Sequence, residues 1–515
     1  MTDFDAVGHA TSITYQLRNQ SDPQMPVSNS NASPKADAGE KKTVTETIRR
    51  LSSVSGWFVP RPSRTDEEKA VGSDESAPNA DSPRTLLGEN VVAVTAPDEI
   101  DTHNLHWFKA ALIMIAETIS LGILSLPFAL STLGIVPGVI LIWVFGFVAT
   151  YTGFAVWQFK MTHWEMASLA HGLELVFGRW GRYVGHVSQT LMMLFVMSAH
   201  VVIFGVAMTE LTDHGLCRVW SMAIGAFLCF VVSIPRTMKG NSYYSALSCL
   251  SITIATLIAL IAIAKANPAA TFSTSAKSHA FLPTHLVPFR KSALATSSII
   301  LAYNSHLAYP TIINEMSHPR DFPKALIFLE TFAICFYTLV AVIIYVFAGQ
   351  AVASPAIGSA SPLVRKVSFG FALPTIIVAG VILALVLAKN LMNVIWRKDI
   401  RVATAKSTNA WVSWLAILLA IWVLAWVVAN VIPNFGQIVG LIGALFGTWF
   451  ALGICSVLWL GMNRGRYWVD WRKMALTGAN GSIVLVSAAL CVVGSYGSIL
   501  DMVAGGDQQK PFSCG

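Results

Sequence analysis

Residues 118–159, 407–463 and 474–500 contain no Asp, Glu, Lys or Arg. A soluble core of comparable length carries roughly a quarter charged residues; this chain of 515 residues has 12% charged and 54% hydrophobic. A helix needs about 20 apolar residues to cross a bilayer. Runs this long and this free of charge therefore predict an all-α polytopic membrane protein.

Apolar length divides the chain into eleven expected spans, at about 108–130, 134–157, 186–210, 218–235, 242–265, 291–314, 324–348, 367–390, 410–430, 433–460 and 474–500. The connection 158–185 carries amphipathic stretches such as Trp164–Leu169 and is expected along the membrane surface. The residues 430–434, Asn-Val-Ile-Pro-Asn, predict a tight helical hairpin.

Two spans are interrupted. One carries Glu117-Thr118-Ile119-Ser120-Leu121-Gly122-Ile123-Leu124-Ser125-Leu126-Pro127, the other Ala302-Tyr303-Asn304-Ser305-His306-Leu307-Ala308-Tyr309-Pro310. Each is the first span of a group of five. Interrupted helices at matching places in two halves are the best sequence pointer to a secondary transporter's substrate site, because unwound backbone at membrane depth is tolerated only where it lines a cavity or is buried in protein.

The first 102 residues are a different material. They hold 10 Lys/Arg against 16 Asp/Glu, and the remainder holds 25 against 12. The net +7 of the chain thus combines an acidic tail with a basic body. The tail has no apolar core that would make it a signal peptide, and its composition predicts disorder. Arg49-Arg50-Leu51-Ser52-Ser53 offers a basophilic kinase site, although an unmodified solvated tail is the plainer expectation. Residues 103–500 form the expected transporter domain, and 501–515 a short C-terminal tail.

With the N-terminus inside, the inner connections hold 16 Lys/Arg and the outer ones 8. This bias predicts a cytoplasmic N-terminus and an external C-terminus. The basic charges are scattered over loops, which argues against nucleic acid as a partner. Five of the seven cysteines fall within spans and read as packing residues. Cys217 and Cys514 fall outside; free thiols are the expected state there, with a disulfide between them as the alternative. No metal-ligand spacing, catalytic constellation or Walker-type phosphate loop appears. The expectation is a non-enzyme with no cofactor and no metal, whose transport is passive or driven by an ion gradient.

The run Ala116-Glu117 through Pro127-Phe128-Ala129 resembles the first helix of the amino acid/auxin permease family, within the amino acid–polyamine–organocation superfamily. The blocks from Ala302 to Pro310 and from Ile313 to Lys324 resemble its sixth helix and the loop that follows. Ile432-Pro433-Asn434-Phe435 through Gly440-Leu441-Ile442-Gly443-Ala444 is similar to its tenth helix. The resemblance covers about 103–500 and is greatest to fungal neutral amino acid permeases. It implies eleven helices, with helices 1–5 and 6–10 forming an inverted repeat and one helix appended, and co-transport of protons with amino acids. This chain reads Ser120-Leu121-Gly122 where the family often has two glycines, so Leu121 is expected to reshape the pocket.

In this picture a half-helix beginning near Gly122 points its amide dipole into the midplane. Amides near Ser120, Leu121, Gly122, Ile123 and Leu124 are expected to bind a substrate carboxylate. Carbonyls around Ala302, Tyr303 and Asn304 are expected to accept from the substrate ammonium, with Tyr303 and His306 against the substrate. Ordinary packing kinks are the competing account. Ionisable groups inside spans are costly and mark function by default. Glu117 and His306, one at each break, are the expected proton-coupling pair, each weighed against a structural role. His200 is expected to be a packing histidine, Lys389 to snorkel towards the headgroups, and Gly440, Gly443 and Gly447 to serve close helix packing. The eighth helix around Ala379–Ala384 offers no hydroxyl for sodium, which favours protons.

The reading is a proton symporter importing neutral amino acids by alternating access, placed in the plasma membrane. A vacuolar amino acid transporter, or a non-transporting sensor of the same fold, is the alternative.

Overall fold

The computed structural model describes residues 105–236, 241–265, 288–396, 408–504 and 511–514. The acidic segment 1–102, and the disorder expected of it, lies outside the described residues.

The described chain is helical: α1 Trp107–Leu133, α2 Ile135–Thr162, α3 Leu169–Phe177, α4 Arg179–Leu211, α5 Arg218–Ser233, α6 Asn241–Lys265, α7 Phe289–Ala302, α8 Tyr309–Glu315, α9 Phe322–Ala348, α10 Pro362–Ile395, α11 Thr408–Val431, α12 Phe435–Met462 and α13 Trp471–Ala504. Among the described residues eight helices are long and apolar enough to cross a membrane, and the bent α1 makes nine. The shorter α5 and the interrupted pair α7–α8 complete eleven crossings. The outer surface is apolar: Leu485, Val492 and Val503 of α13 are 73%, 71% and 75% exposed. The interior holds polar groups such as Thr152, Ser297 and Glu330. That inside-out distribution suits hydrocarbon, where a polar side chain must find its partner within the protein.

Helix packing repeats with a period of five crossings. Counting α1, α2, α4, α5, α6 as one unit and α7–α8, α9, α10, α11, α12 as the other, nearly every contact in one has its image. Thus α1 packs on α6 as α7 packs on α12, and α4 packs on α11 as α10 packs on α5. Likewise α10 lies on α6 as α4 lies on α12, and α9 lies on α1 as α2 lies on α7 and α8. The exchange maps α1·α7, α2·α9, α4·α10 and α5·α11 onto themselves. Five crossings is an odd number, so the second unit runs opposite to the first. This is the 5+5 inverted repeat, with α13 appended against α7 and α12.

Three local findings refine the sequence reading. The first concerns α1, which is not unwound. Its helical backbone carries through from Trp107 to Leu133 while the axis turns by 50° between Ile119 and Gly122. Pro127 lies inside the helix and removes one amide from the hydrogen-bond ladder. The second is Trp164–Ser168, which is non-helical, with a turn at Trp164 and Glu165. It wraps the buried Lys160, whose Nζ donates to Trp164 O and to Met166 O, the latter at 2.7 Å. Helix α3 starts only after Ser168, whose Oγ accepts from His171 N, and α4 begins at Arg179, earlier than apolar length suggested. The third is a disulfide joining Cys217 and Cys514, where free thiols were expected. Phe512 stacks edge-on against Trp426 and its amide donates to Asn430 O, and this seating holds Cys514 beside the start of α5.

Gly440 and Gly443 do serve close packing: a Cβ at Gly443 would sit 2.0 Å from Ser297 O, and one at Gly440 2.1 Å from Leu294 Cδ1, both on α7. Between them and α12's end, Gly443–Gly453 adopts π-helical turns, which the sequence did not announce. Turns of this kind are frequent at functional sites.

Candidate functional site

The two interrupted spans meet. A Cβ built on Gly122 would lie 2.5 Å from Ala302 Cα. No side chain fits there, so α1 and the end of α7 touch backbone to backbone. Tyr337 of α9 locks the contact, its hydroxyl lying 2.9 Å from both Thr118 O and Ala302 O, so that one proton is shared between two carbonyls.

Beyond Ala302 the helix stops. Tyr303 N and Asn304 N bond back to Ile300 O and Leu301 O, and helix resumes at Tyr309. The six residues 303–308 turn in opposite directions. Asn304 faces a cavity of about 60 Å³. Ser305, His306 and Tyr309 face away from it.

That cavity is lined by Glu117, Thr118 and Gly122 of α1, Met192, Val196 and His200 of α4, Leu301, Asn304 and Leu307 of the second break, and Ala379 and Leu383 of α10. Among the described residues it holds no Lys or Arg. Its polar atoms are mainly acceptors. His200 Nδ1 lies 2.9 Å from Val196 O; facing a carbonyl, that nitrogen carries the hydrogen, which leaves Nε2 as a bare lone pair. Nε2 has no hydrogen-bond partner among the described residues, nor has Asn304 Oδ1. The Asn304 amide nitrogen makes only a long contact of 3.6 Å to Met192 Sδ. A buried polar atom without a partner is rare enough to need a reason.

Of the candidate residues, the cavity thus gathers Glu117, Gly122 and Asn304. Ile123 and Leu124 are buried in the core within helical backbone. The side chains of Ser120 and Leu121 lie outside the described residues. Ala302 is the backbone contact against Gly122, and its carbonyl is taken by Tyr337. Tyr303 turns to the other side, stacking edge-on against Tyr337 with centroids 5.3 Å apart. His306 is fully buried against α2, its Nε2 3.0 Å from Thr152 Oγ1 and 3.2 Å from Ala149 O. Sequence reasoning missed Thr118, Met192, Val196, Ala379 and Leu383, and assigned His200 to packing. An apolar residue lining a cavity looks in sequence like any other core position. That the second nitrogen of His200 lacks a partner among the described residues shows only in the fold.

The model of a family described as transmembrane amino acid transporter protein matches residues 103–500. An "N amino acid transport system protein" of Neurospora crassa is 30% identical over 417 residues, which are 80% of this chain and 88% of that one. A "Transmembrane transporter" of Gibberella moniliformis is 27% identical over 366 residues, 70% of this chain and 75% of that one. A solved structure of a Na+-coupled sialic acid symporter in a substrate-bound, outward-open state aligns with 77% of this chain and 88% of its own, with a TM-score of 0.48 and 14% identity. Eleven helical crossings in a 5+5 arrangement, a cavity where two interrupted spans touch, and a family match running through both lead to one conclusion: the chain belongs to the transmembrane amino acid transporter family.

Proposed function

We propose that the chain is a secondary active transporter that carries neutral amino acids into the cell by proton symport, through alternating access at the cavity between α1, α4, α10 and the second break. The observation that carries this reading is the pairing of unsatisfied acceptors with apolar walls. Asn304 Oδ1 and His200 Nε2 lack donors, and Glu117 lines the same space; a substrate ammonium, with its three hydrogens, supplies what they lack. Met192, Val196, Leu301, Leu307, Ala379 and Leu383 surround the remainder. Walls of this kind favour an uncharged, apolar side chain, since a charge there would meet no partner. The substrate carboxylate is placed along the bend of α1, where Gly122 lines the cavity; Ser120, Leu121, Ile123 and Leu124 belong to this stretch of α1. The relative in Neurospora crassa carries an amino acid transport name, which accords with this reading.

Protons are the proposed driving ion, with Glu117 at the cavity and His306 at the second break as the titratable groups. Where α10 reaches the cavity it brings Ala379 and Leu383, which have no side-chain oxygen for sodium. The placement proposed is the plasma membrane with a cytoplasmic N-terminus. The Lys/Arg bias supports it, as does the Cys217–Cys514 disulfide, which suits an oxidising outer face.

The test is uptake of a panel of radiolabelled amino acids into proteoliposomes holding the full chain, with acid imposed outside. One pH unit is worth about 1.4 kcal/mol, or about tenfold accumulation per proton carried. Neutral amino acids should accumulate on that scale, lose accumulation with a protonophore, and ignore replacement of sodium by choline. Sodium-dependent, pH-independent uptake would remove the proton mechanism. Binding without flux would make the chain a sensor. In intact cells, cysteine labels at positions 40 and 402 should be protected while one at 277 reacts; reaction at 40 would reverse the orientation.

A further inference from the structure

The far side of the second break holds a second polar cluster, separate from the cavity. Glu330 lies on α9 and is 1% exposed. Tyr309 Oη donates to its Oε1 at 3.4 Å, and Tyr309 Oη is 2.7 Å from Ser305 Oγ. Glu330 Oε2 has no hydrogen-bond partner among the described residues. One residue along, His306 continues the cluster. Thr152 Oγ1 donates to Ala451 O at 2.8 Å. His306 Nε2 therefore donates to Thr152 Oγ1 and Ala149 O. The cluster thus ties the break to α9, to α2 and to the π-helical stretch of α12.

Among the described residues no positive charge serves Glu330. The helices packed against α9 are α1, α2 and α6, with the short turns Pro319–Asp321 and Gly349–Ala351 at its ends; Arg320 in the first of these is exposed. On α1, Glu117 lines the cavity and Lys109 is exposed. On α2, Lys160 is bound to Trp164 O and Met166 O, and Tyr151 to Asn480. On α6 the described titratable side chains are Cys249 and Lys265, the latter exposed at the helix end. On α9 itself, Lys324 is paired with Asp321 at 2.7 Å, and Cys335 is exposed. The groups that bear on Glu330 electrostatically are the hydroxyls of Tyr303, Tyr309 and Tyr337. From α12, the Cys455 thiol donates to Phe450 O in its own helix. An ionised carboxylate buried with one long hydrogen bond and no cation is strongly disfavoured, and an intramembrane carboxyl held in this way is functional by default.

We propose that Glu330 is a proton-binding site of the transport cycle, outside the substrate cavity and linked to it through Tyr309 and Ser305 of the second break. The proposal rests on the proton-symport reading above. A proton taken from the acidic side sits on Oε2 while the cluster is closed. Glu330 is then neutral and the break stays packed on α9. Rearrangement of the break admits water to the carboxyl, and the proton leaves to the other side. Binding or loss of this one proton changes the charge beside Tyr309, so the substrate-bearing residue Asn304 and the proton-bearing carboxyl are moved by the same six residues.

The test compares the full-length wild type and Glu330→Gln in proteoliposomes, using a mixture of radiolabelled neutral L-amino acids. Two readouts are taken: accumulation driven by one pH unit, and exchange at equal pH. Loss of one carried proton lowers the sustained accumulation ratio by about tenfold per pH unit, while exchange stays within about threefold of wild type. Wild-type accumulation in Glu330→Gln overturns the proposal and leaves proton symport standing. A wild type that ignores the pH gradient overturns both. A second measurement needs no variant. Dicyclohexylcarbodiimide adds to protonated carboxyls in apolar surroundings, and peptide mass mapping of the treated wild type should find it on Glu330, with less adduct as pH rises. No adduct on Glu330 at any pH overturns the proposal even where Glu330→Gln fails to fold.

Discussion

The two interrupted spans occupy equivalent places in the repeat and solve the same problem differently. Helix α1 bends by 50° and stays helical, whereas α7 stops at Ala302 and α8 starts at Tyr309. The bend seats Gly122 against Ala302 at the cavity wall and brings a carboxyl there at Glu117. The true break gives it six residues free of helical direction, so that Asn304 meets the cavity while Ser305 and His306 meet the opposite cluster. A bent helix presents one face to a site. A broken one can present two, and is the natural place to join two events.

The largest expected effect comes from the contact between them. Gly122→Val drives a branched side chain into Ala302, already 2.5 Å from a bare Cβ. Uptake should fall by about a hundredfold, the scale of a 1 Å misplacement at a reacting or binding centre, with surface expression retained. Gly370→Ala, where a Cβ meets nothing within 4 Å, should leave uptake at the wild-type level. Equal losses in both variants would show that the close approach is not special.

Next comes the lock over the contact. Tyr337→Phe deprives Thr118 O and Ala302 O of their shared donor. Leaving buried carbonyls unpaired costs about 1–3 kcal/mol, read as a lower unfolding temperature and a several-fold slower uptake. A variant as stable as the wild type would mean that packing alone holds α1 on α7.

Asn304→Ala tests the break rather than the bend. Loss of one acceptor for an ammonium should raise KM by about tenfold, near 1.4 kcal/mol, with little change in thermal stability. His200→Leu should act in the same direction by a similar or smaller factor. If both change stability and leave KM alone, these atoms serve packing. Cys514→Ser should do least. It frees the Cys217 thiol to external alkylation and leaves uptake within about twofold of wild type.

Much of this was legible in the sequence for a simple reason. Membrane spans follow from charge-free length, and the two interruptions follow from Gly, Ser, Asn and Pro set inside that length. What the sequence hid depends on direction. Nothing in Tyr303-Asn304-Ser305-His306 says that Asn304 faces one side and its neighbours the other. His200 reads as packing until its Nδ1 is seen against Val196 O. Glu330 had a visible signal, a lone carboxyl in an apolar span, the same signal that marked Glu117; its unpartnered Oε2 shows only in the fold. Gly and Pro in α1 permit bending and unwinding alike, so the sequence does not choose between them.

The central claim is that a neutral amino acid sits between the bend and the break, against α10. Ala379 lines that cavity and is buried, so Ala379→Cys places a thiol at the proposed site with little change in volume. Its rate of alkylation by a small, polar methanethiosulfonate is measured with and without a saturating neutral amino acid. The account predicts that substrate slows the reaction by about tenfold or more, as expected when bound ligand excludes reagent at about ten times its dissociation constant. Alkylation at an unchanged rate, in a variant that still transports, would contradict it.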